Sequence, residues 1–166
     1  MAVSADFLWH DRDWLAQSYG GRLCEADGSE IHVAYESDSQ FAAEARRLAA
    51  RAAEEVVSYR ARFEGVEEWA SELSATADDI FWQQFDAGIA CALAGRPREA
   101  HHWLRLVRES GDDRDWVIAA CDRARELDQL VDPGDAFVDA ISESVARFRS
   151  SLRLAEIDVA SGLRSR

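Results

Sequence analysis

The stretch 80–109, IFWQQFDAGIACALAGRPREAHHWLRLVRE, constrains this chain more than any other. Two helical periodicities meet at Gly95-Arg96-Pro97. Glycine supplies the left-handed residue that commonly ends a helix. Proline suits the first turn of the next helix, because its missing N–H would have no partner there anyway. Thr76 followed three residues later by Asp79 reads as a capping signal for the first helix, and Asp78 and Asp79 set negative charge at its positive end. The first helix, extending to about Ala94, is apolar on more than one side. Ala87, Gly88 and Cys91 form a small face, and Trp82, Phe85, Ile89 and Leu93 a bulky one. Such a helix is buried, or keeps one face for a partner. The second helix carries Ala100, Leu104 and Val107 on one stripe, with Trp103 beside it, and the small face of the first lets it approach closely.

The same residues resemble a tetratricopeptide repeat, whose pattern is W-x2-L-G-x2-Y, then A-x3-F, then Pro. Gln84-x2-Ala87-Gly88-x2-Cys91 and Ala100-x3-Leu104 align with it, and Gly95-Arg96-Pro97-Arg98-Glu99-Ala100 resembles the passage from turn to second helix. The Trp, Leu and Tyr of the pattern are absent, and Asp112 stands at the place of the Pro. The resemblance covers residues 80–112. It implies a scaffold that binds a peptide or a protein and uses no cofactor.

Taken in order, residues 4–18 read as a short helix capped by Ser4 and ended by Gly20-Gly21. The one β signal follows. Arg22–Ala26 and Ser29–Tyr35 flank Asp27-Gly28, a two-residue type I′ turn, with Ile31, Val33 and Tyr35 alternating onto one face. Such a hairpin is marginal alone and must pack on the helices, and its free edges could pair with a partner strand. Ser37 or Ser39 opens the longest helix, with Phe41, Ala45, Leu48, Ala52, Val56, Tyr59 and Phe63 on one stripe up to Gly65. At 1.5 Å per residue it is ~39 Å long, enough for the spine of a bundle. Val66–Leu73 forms a shorter helix bearing Trp69. Asp112 or Asp113 caps another, with Val117, Ala120, Ala124, Leu127 and Val131 facing inward as far as Asp132-Pro133-Gly134. A last helix carries Phe137, Ile141, Val145, Phe148, Leu152, Ala155 and Val159. The turn glycines Gly95 and Gly134 are spaced within the range of helical repeats. The expected architecture is therefore mainly α: a helical bundle or tetratricopeptide-like stacked hairpins, with one small N-terminal β-hairpin. One domain over 1–166 is expected, with 1–36 an appendage, 37–160 the helical body and 161–166 a loose tail.

At 166 residues and 48% hydrophobic, with six Trp, the chain has ample apolar surface for a core without metal or disulfide. Three cysteines, Cys24, Cys91 and Cys121, widely spaced and without a CxxC, read as reduced thiols of a cytoplasmic protein. No signal peptide is evident at the N-terminus, and no apolar run approaches the ~20 residues that span a bilayer. The net charge of −13 argues against nucleic acid and anionic membrane as partners, since both need basic patches. All the basic residues are Arg, as a GC-rich coding sequence would give. The acidic excess gathers in residues 1–40 and 111–134, where it serves solubility or steers a basic partner.

Chemistry is harder to find. Glu99-x-x-His102 is half of a di-iron carboxylate site and has no second copy. His101 and His102 diverge by about 100° on a helix and do not converge on one metal with Asp112 and Asp113. Cys24 and His32, expected across the hairpin, lack an orienting acid for nucleophilic work. No nucleophile-elbow, phosphate-loop or dinucleotide motif occurs. Two tryptophans differ from the core set: Trp9 lies beside Asp11 and Asp13, and Trp116 beside Asp112, Asp113 and Asp115. An aromatic ringed by acids suits an interface anchor for a basic protein, since Trp is enriched in hot spots.

The sequence thus points to a non-enzymatic acidic helical protein-binding module with no catalytic residue, metal or cofactor, for example an immunity or antitoxin protein masking a basic toxin. The expected interface residues are Trp82, Phe85, Ile89, Asp112, Asp113, Asp115, Trp116, Trp9, Asp11 and Asp13, and self-association is compatible with them. Two alternatives stand beside it. One is an adaptor or chaperone that binds a peptide in a groove along Trp82, Phe85 and Ile89. The other is a helical metal-dependent hydrolase or oxidoreductase using Glu99 and His102.

Overall fold

The computed structural model describes residues 2–5, 7–10, 19–25, 27–77, 80–132 and 134–164. The chain is mainly α-helical and divides into two compact units, Met1–Asp6 with Ala16–Phe63, and Phe7–Leu15 with Glu64–Arg166.

In the first unit, β1 (Ala2–Ala5) runs antiparallel to β2 (Tyr19–Arg22), with Ala2 opposite Arg22 and Ala5 opposite Tyr19. A strand therefore stands where the start of a helix over 4–18 was expected; residues 11–18 lie outside the described residues. The expected hairpin shrinks to a single bridge between Cys24 and Glu30. Gly28 of its turn stands at φ 83°. The Gly28 N–H donates to the Glu25 carbonyl, and the Glu25 N–H to the Ser29 carbonyl. One left-handed glycine after a tight turn is the bulged loop type, whereas type I′ needs two left-handed residues. Residues 31–37 form no strand, and the expected ladder stops at the Cys24–Glu30 bridge.

Helix α1 (Asp38–Arg62) opens as expected on Ser37, whose Oγ accepts from the Gln40 N–H at 3.2 Å. Its packing does not follow the expectation of a bundle spine, since none of its residues is buried. Tyr19 meets Tyr59 and Phe63 edge-on, with ring centroids 5.8 and 4.8 Å apart. Arg51 donates to the Cys24 carbonyl at 2.6 Å.

The second unit is a set of helices in which sequence neighbours pack on one another: α2 (Val66–Thr76), α3 (Phe81–Leu93), α4 (Pro97–Arg108), α5 (Asp115–Leu130), α6 (Gly134–Ser151) and the short α7 (Val159–Arg164). The α3–α4 hairpin is built as its sequence dictates. Gly95 sits at φ 69°. The Arg96 and Gly95 N–H groups close back onto the Cys91 and Ala92 carbonyls, the paired pattern of a left-handed helix end. Ala87, Gly88 and Cys91 are buried, and Gly88 lies directly against Leu104. The α5 stripe Val117, Ala120, Ala124, Leu127 and Val131 is buried as well. Helix α6 returns to touch α3, so α3, α4, α5 and α6 form a closed ring of neighbours, the connectivity of a helical bundle.

Three local expectations change. Thr76 ends α2, its hydroxyl donating to the Glu72 carbonyl, and α3 starts at Phe81 with Ile80 at its N-cap; Asp78 and Asp79 lie outside the described residues. The last helix does not run through to Val159. It stops at Ser151, where Arg153 turns left-handed at φ 55° and the Leu154 and Arg153 N–H groups close onto Arg149 and Ser150. The C-terminal segment then forms α7 where a loose tail was expected, started by the Asp158 carboxylate, which accepts from the Ser161 N–H.

Candidate functional site

Among the described residues the buried carboxylate of the second unit is Asp86, the lone acid on α3. It is 1% exposed. A buried carboxylate is costly unless it is hydrogen-bonded or paired, and the partners come from residues 7–10. The indole N–H of Trp9 donates to Asp86 Oδ1 at 2.8 Å. His10, 3% exposed, brings Nε2 to 2.8 Å from the same oxygen. That approach is close but off-axis, so neither imidazole nitrogen makes a directed hydrogen bond among the described residues. Phe7, Trp9 and His10 are all buried. Phe7 stacks on Trp9 with centroids 4.7 Å apart, Trp9 leans on Trp69 of α2, and His10 packs on Trp82 and Phe85 of α3.

From this interior an aromatic column reaches the surface. Trp82 is half-buried and stacks on Trp116 of α5 with centroids 5.5 Å apart and planes 19° from parallel. Phe81 sits edge-on to both. Trp116 remains 42% exposed and Ile80, beside Phe81, is exposed. The guanidinium of Arg114 lies 4.5 Å from the centroid of the Trp116 ring. Both carboxylate oxygens of Asp112 hold that guanidinium, and Asp112 Oδ1 also accepts from the Arg114 N–H. These bonds from Arg114 keep the Asp112 carboxyl below the usual carboxylate range. Asp113 and Asp115 are exposed beside it. Trp116 is therefore packed against Trp82 and Phe81 and carries on its ring the Arg114 guanidinium that Asp112 holds.

The structure thus brings together Trp82, Trp116, Asp112, Asp113 and Asp115, which sequence spacing had placed on two separate helices. It removes others from any surface. Phe85 and Ile89 are core residues beneath the helix crossings, and Trp9 is buried because its indole N–H answers Asp86. Asp11 and Asp13 lie outside the described residues. Sequence reading missed Asp86 and His10. The one signal was an acid in the middle of the apolar run from Phe85 to Leu93, where a charge has no reason to sit without a partner.

The constellations considered for chemistry are dispersed. Glu99 pairs with Arg96, and exposed His102 packs on Trp103. His101 turns the other way. Its Nδ1 lies 2.7 Å from Asp128 Oδ1 and its Nε2 3.6 Å from Asp132 Oδ1, while Arg108 holds the other Asp128 oxygen. The Asp128 hydrogen bond raises the His101 pKa above the ordinary imidazole value. Cys24 donates to the Arg22 carbonyl, and His32 lies near Glu30. Cys91 and Cys121 are buried thiols whose pKa values are raised by burial. Among the described residues no group of three or more His, Cys, Asp or Glu side chains is placed to hold a metal ion, and no helix is long and apolar enough to cross a membrane.

Set against known protein families, curated proteins and solved structures, the chain matches none of them.

Proposed function

We propose that this chain is a protein-binding module whose contact surface is the Trp116–Trp82 pair with Phe81 and Ile80, ringed by Asp112, Asp113 and Asp115, and that its partner presents arginines on a basic surface. The observation that carries this reading is the guanidinium of Arg114 resting on the Trp116 ring in the grip of Asp112. Arginine on an aromatic face with a bidentate carboxylate is a strong and oriented form of cation recognition, and the surface performs it on its own side chain. A net charge of −13 draws a basic partner toward such a surface from a distance. The exposed tryptophan supplies the desolvated anchor on which affinity concentrates. One form of the reading is an immunity or antitoxin protein that covers a basic toxin.

The test is a titration of the chain with a basic polypeptide of arginine, followed by tryptophan fluorescence at low and high salt. Saturable binding that weakens with salt and falls at least tenfold in Trp116→Ala supports the assignment. Affinity that is unchanged in Trp116→Ala and in a charge-reversed Asp112→Lys/Asp113→Lys/Asp115→Lys variant would show attraction to the net charge alone and sink it.

A further inference from the structure

The Phe7–His10 strap is seated on α2 and α3 in the manner of a bound peptide. Three contacts define the seat: the Trp9 ring against Trp69, its indole N–H on Asp86, and the His10 ring against Trp82 and Phe85. The receptor residues, Trp69, Trp82, Phe85 and Asp86, all come from α2 and α3. The strap reaches them from a part of the sequence more than fifty residues away, and the Asp86 carboxylate meets both its indole N–H and its imidazole. The helices themselves close around one another without it: α2 packs on α3, and α3 on α4 and α6. In addition, among the described residues neither imidazole nitrogen of the buried His10 makes a directed hydrogen bond, so the strap occupies the seat with one polar contact imperfectly met.

We propose that the α2–α3 seat is a peptide-recognition site for a partner segment of the form aromatic-x-Trp-His, which the Phe7–His10 strap fills in cis as a built-in competitor. The seat fixes the chemistry of its occupant. It requires an indole N–H directed at the Asp86 carboxylate, a flat ring following it that fits edge-on to Trp82, and an apolar ring two residues earlier that stacks on the indole. This site adjoins the Trp116 surface through Trp82, which packs on Trp116 and on His10, but it takes a different occupant and does not depend on that surface's role. A segment tethered in cis competes at an effective concentration on the order of millimolar. The intact chain therefore resists exchange, and a partner enters only with a segment of better fit or when the strap is displaced.

The experiment uses a fluorescein-labelled peptide spanning residues 4–13 and follows its anisotropy on titration with the full chain. Trp9→Ala weakens the cis strap and leaves every receptor residue in place. The expected result is one peptide bound per chain with an affinity at least tenfold higher for Trp9→Ala than for the unmodified chain. The same peptide carrying Trp9→Ala should not bind, and the double variant Trp9→Ala/Asp86→Asn should bind more weakly. A Trp9→Ala chain that keeps its helical circular dichroism and takes up no peptide overturns the proposal, as does equal binding by both chains. If Trp9→Ala alone unfolds the second unit, recovery of helicity on adding the peptide supports the proposal, and failure to recover at millimolar peptide overturns it.

Discussion

Replacement of Gly88 by alanine tests the packing argument where α3 meets Leu104 of α4. Helix α3 crosses α4 at Gly88. A Cβ built there would lie 2.9 Å from both Cγ and Cδ2 of Leu104 and 3.3 Å from the Leu104 backbone nitrogen. On intrinsic helix propensity alone, Gly→Ala in a helix interior stabilises by about 0.8–1.0 kcal/mol. Against this stands overpacking, typically about 1–3 kcal/mol when a methyl is forced into a filled core. Leu104 is fully buried, so its side chain has no open space to rotate into. The backbone nitrogen cannot rotate away at all. The helices must therefore part by a few tenths of an ångström, and the net expectation is a loss of about 1 kcal/mol. For a domain of this size that lowers Tm by about 2–4 °C. Urea denaturation followed by circular dichroism measures it directly, with the m-value checking that the unfolded state is unchanged. Leu104→Ala in the Gly88→Ala background should give less than the sum of the two losses, because the second change removes the atoms that the first one strikes. A Gly88→Ala chain stabilised by the full propensity gain would refute the close-crossing argument.

Three further outcomes follow from named contacts. Asp86→Ala removes the acceptor of the Trp9 indole N–H and the carboxylate 2.8 Å from His10 Nε2; the orphaned buried donor makes it cost about 3 kcal/mol, and Asp86→Asn, which keeps an acceptor, should cost less in the same urea assay. His101 should titrate above the ordinary imidazole range in a proton NMR titration and return toward it in Asp128→Asn. Its folded pKa is raised, so the contact stabilises fully below the unfolded pKa and the contribution is lost as pH rises through the folded value; a His101 that titrates at or below the ordinary value would contradict the Asp128 contact. Arg153 holds φ 55° where helix α3 ends on glycine, so Arg153→Gly should stabilise the end of α6 by up to about 1 kcal/mol by relieving the left-handed strain, and a destabilised Arg153→Gly would mean the arginine side chain matters more than its backbone.

The helices of the second unit were legible because their apolar residues repeat at helical spacing and their ends carry unambiguous punctuation. Gly95-Arg96-Pro97 marks one turn, and the stripe from Val117 to Val131 marks one buried face. The parts that were not legible depend on partners distant in sequence. Residues 31–37 have strand-like alternation, yet their pairing stops at the Cys24–Glu30 bridge, and alternation cannot report whether a neighbouring strand is there to pair with. Phe41, Leu48 and Val56 have the spacing of a buried stripe, yet spacing says which residues share a face and not whether anything covers it. The break at Ser151 is driven by a left-handed arginine, a residue that carries no turn signal. The candidate site was half visible. Trp82, Trp116 and the Asp112–Asp115 acids stood out individually, but their meeting required the ring of α3 to α6 to close. The Asp86–Trp9–His10 cluster joins residues separated by most of two helices and a strand, with one misplaced acid as its only trace.

A helix that buries none of its residues has a thermal consequence. The positive heat capacity of unfolding comes from apolar surface newly exposed to water, and α1 has little left to expose. Its melting should carry the enthalpy of its backbone hydrogen bonds almost without a heat-capacity step. In a calorimeter the second unit should give a sharp, cooperative peak, and α1 a broad slope spread across the scan, losing its amide protons to solvent long before the peak is reached.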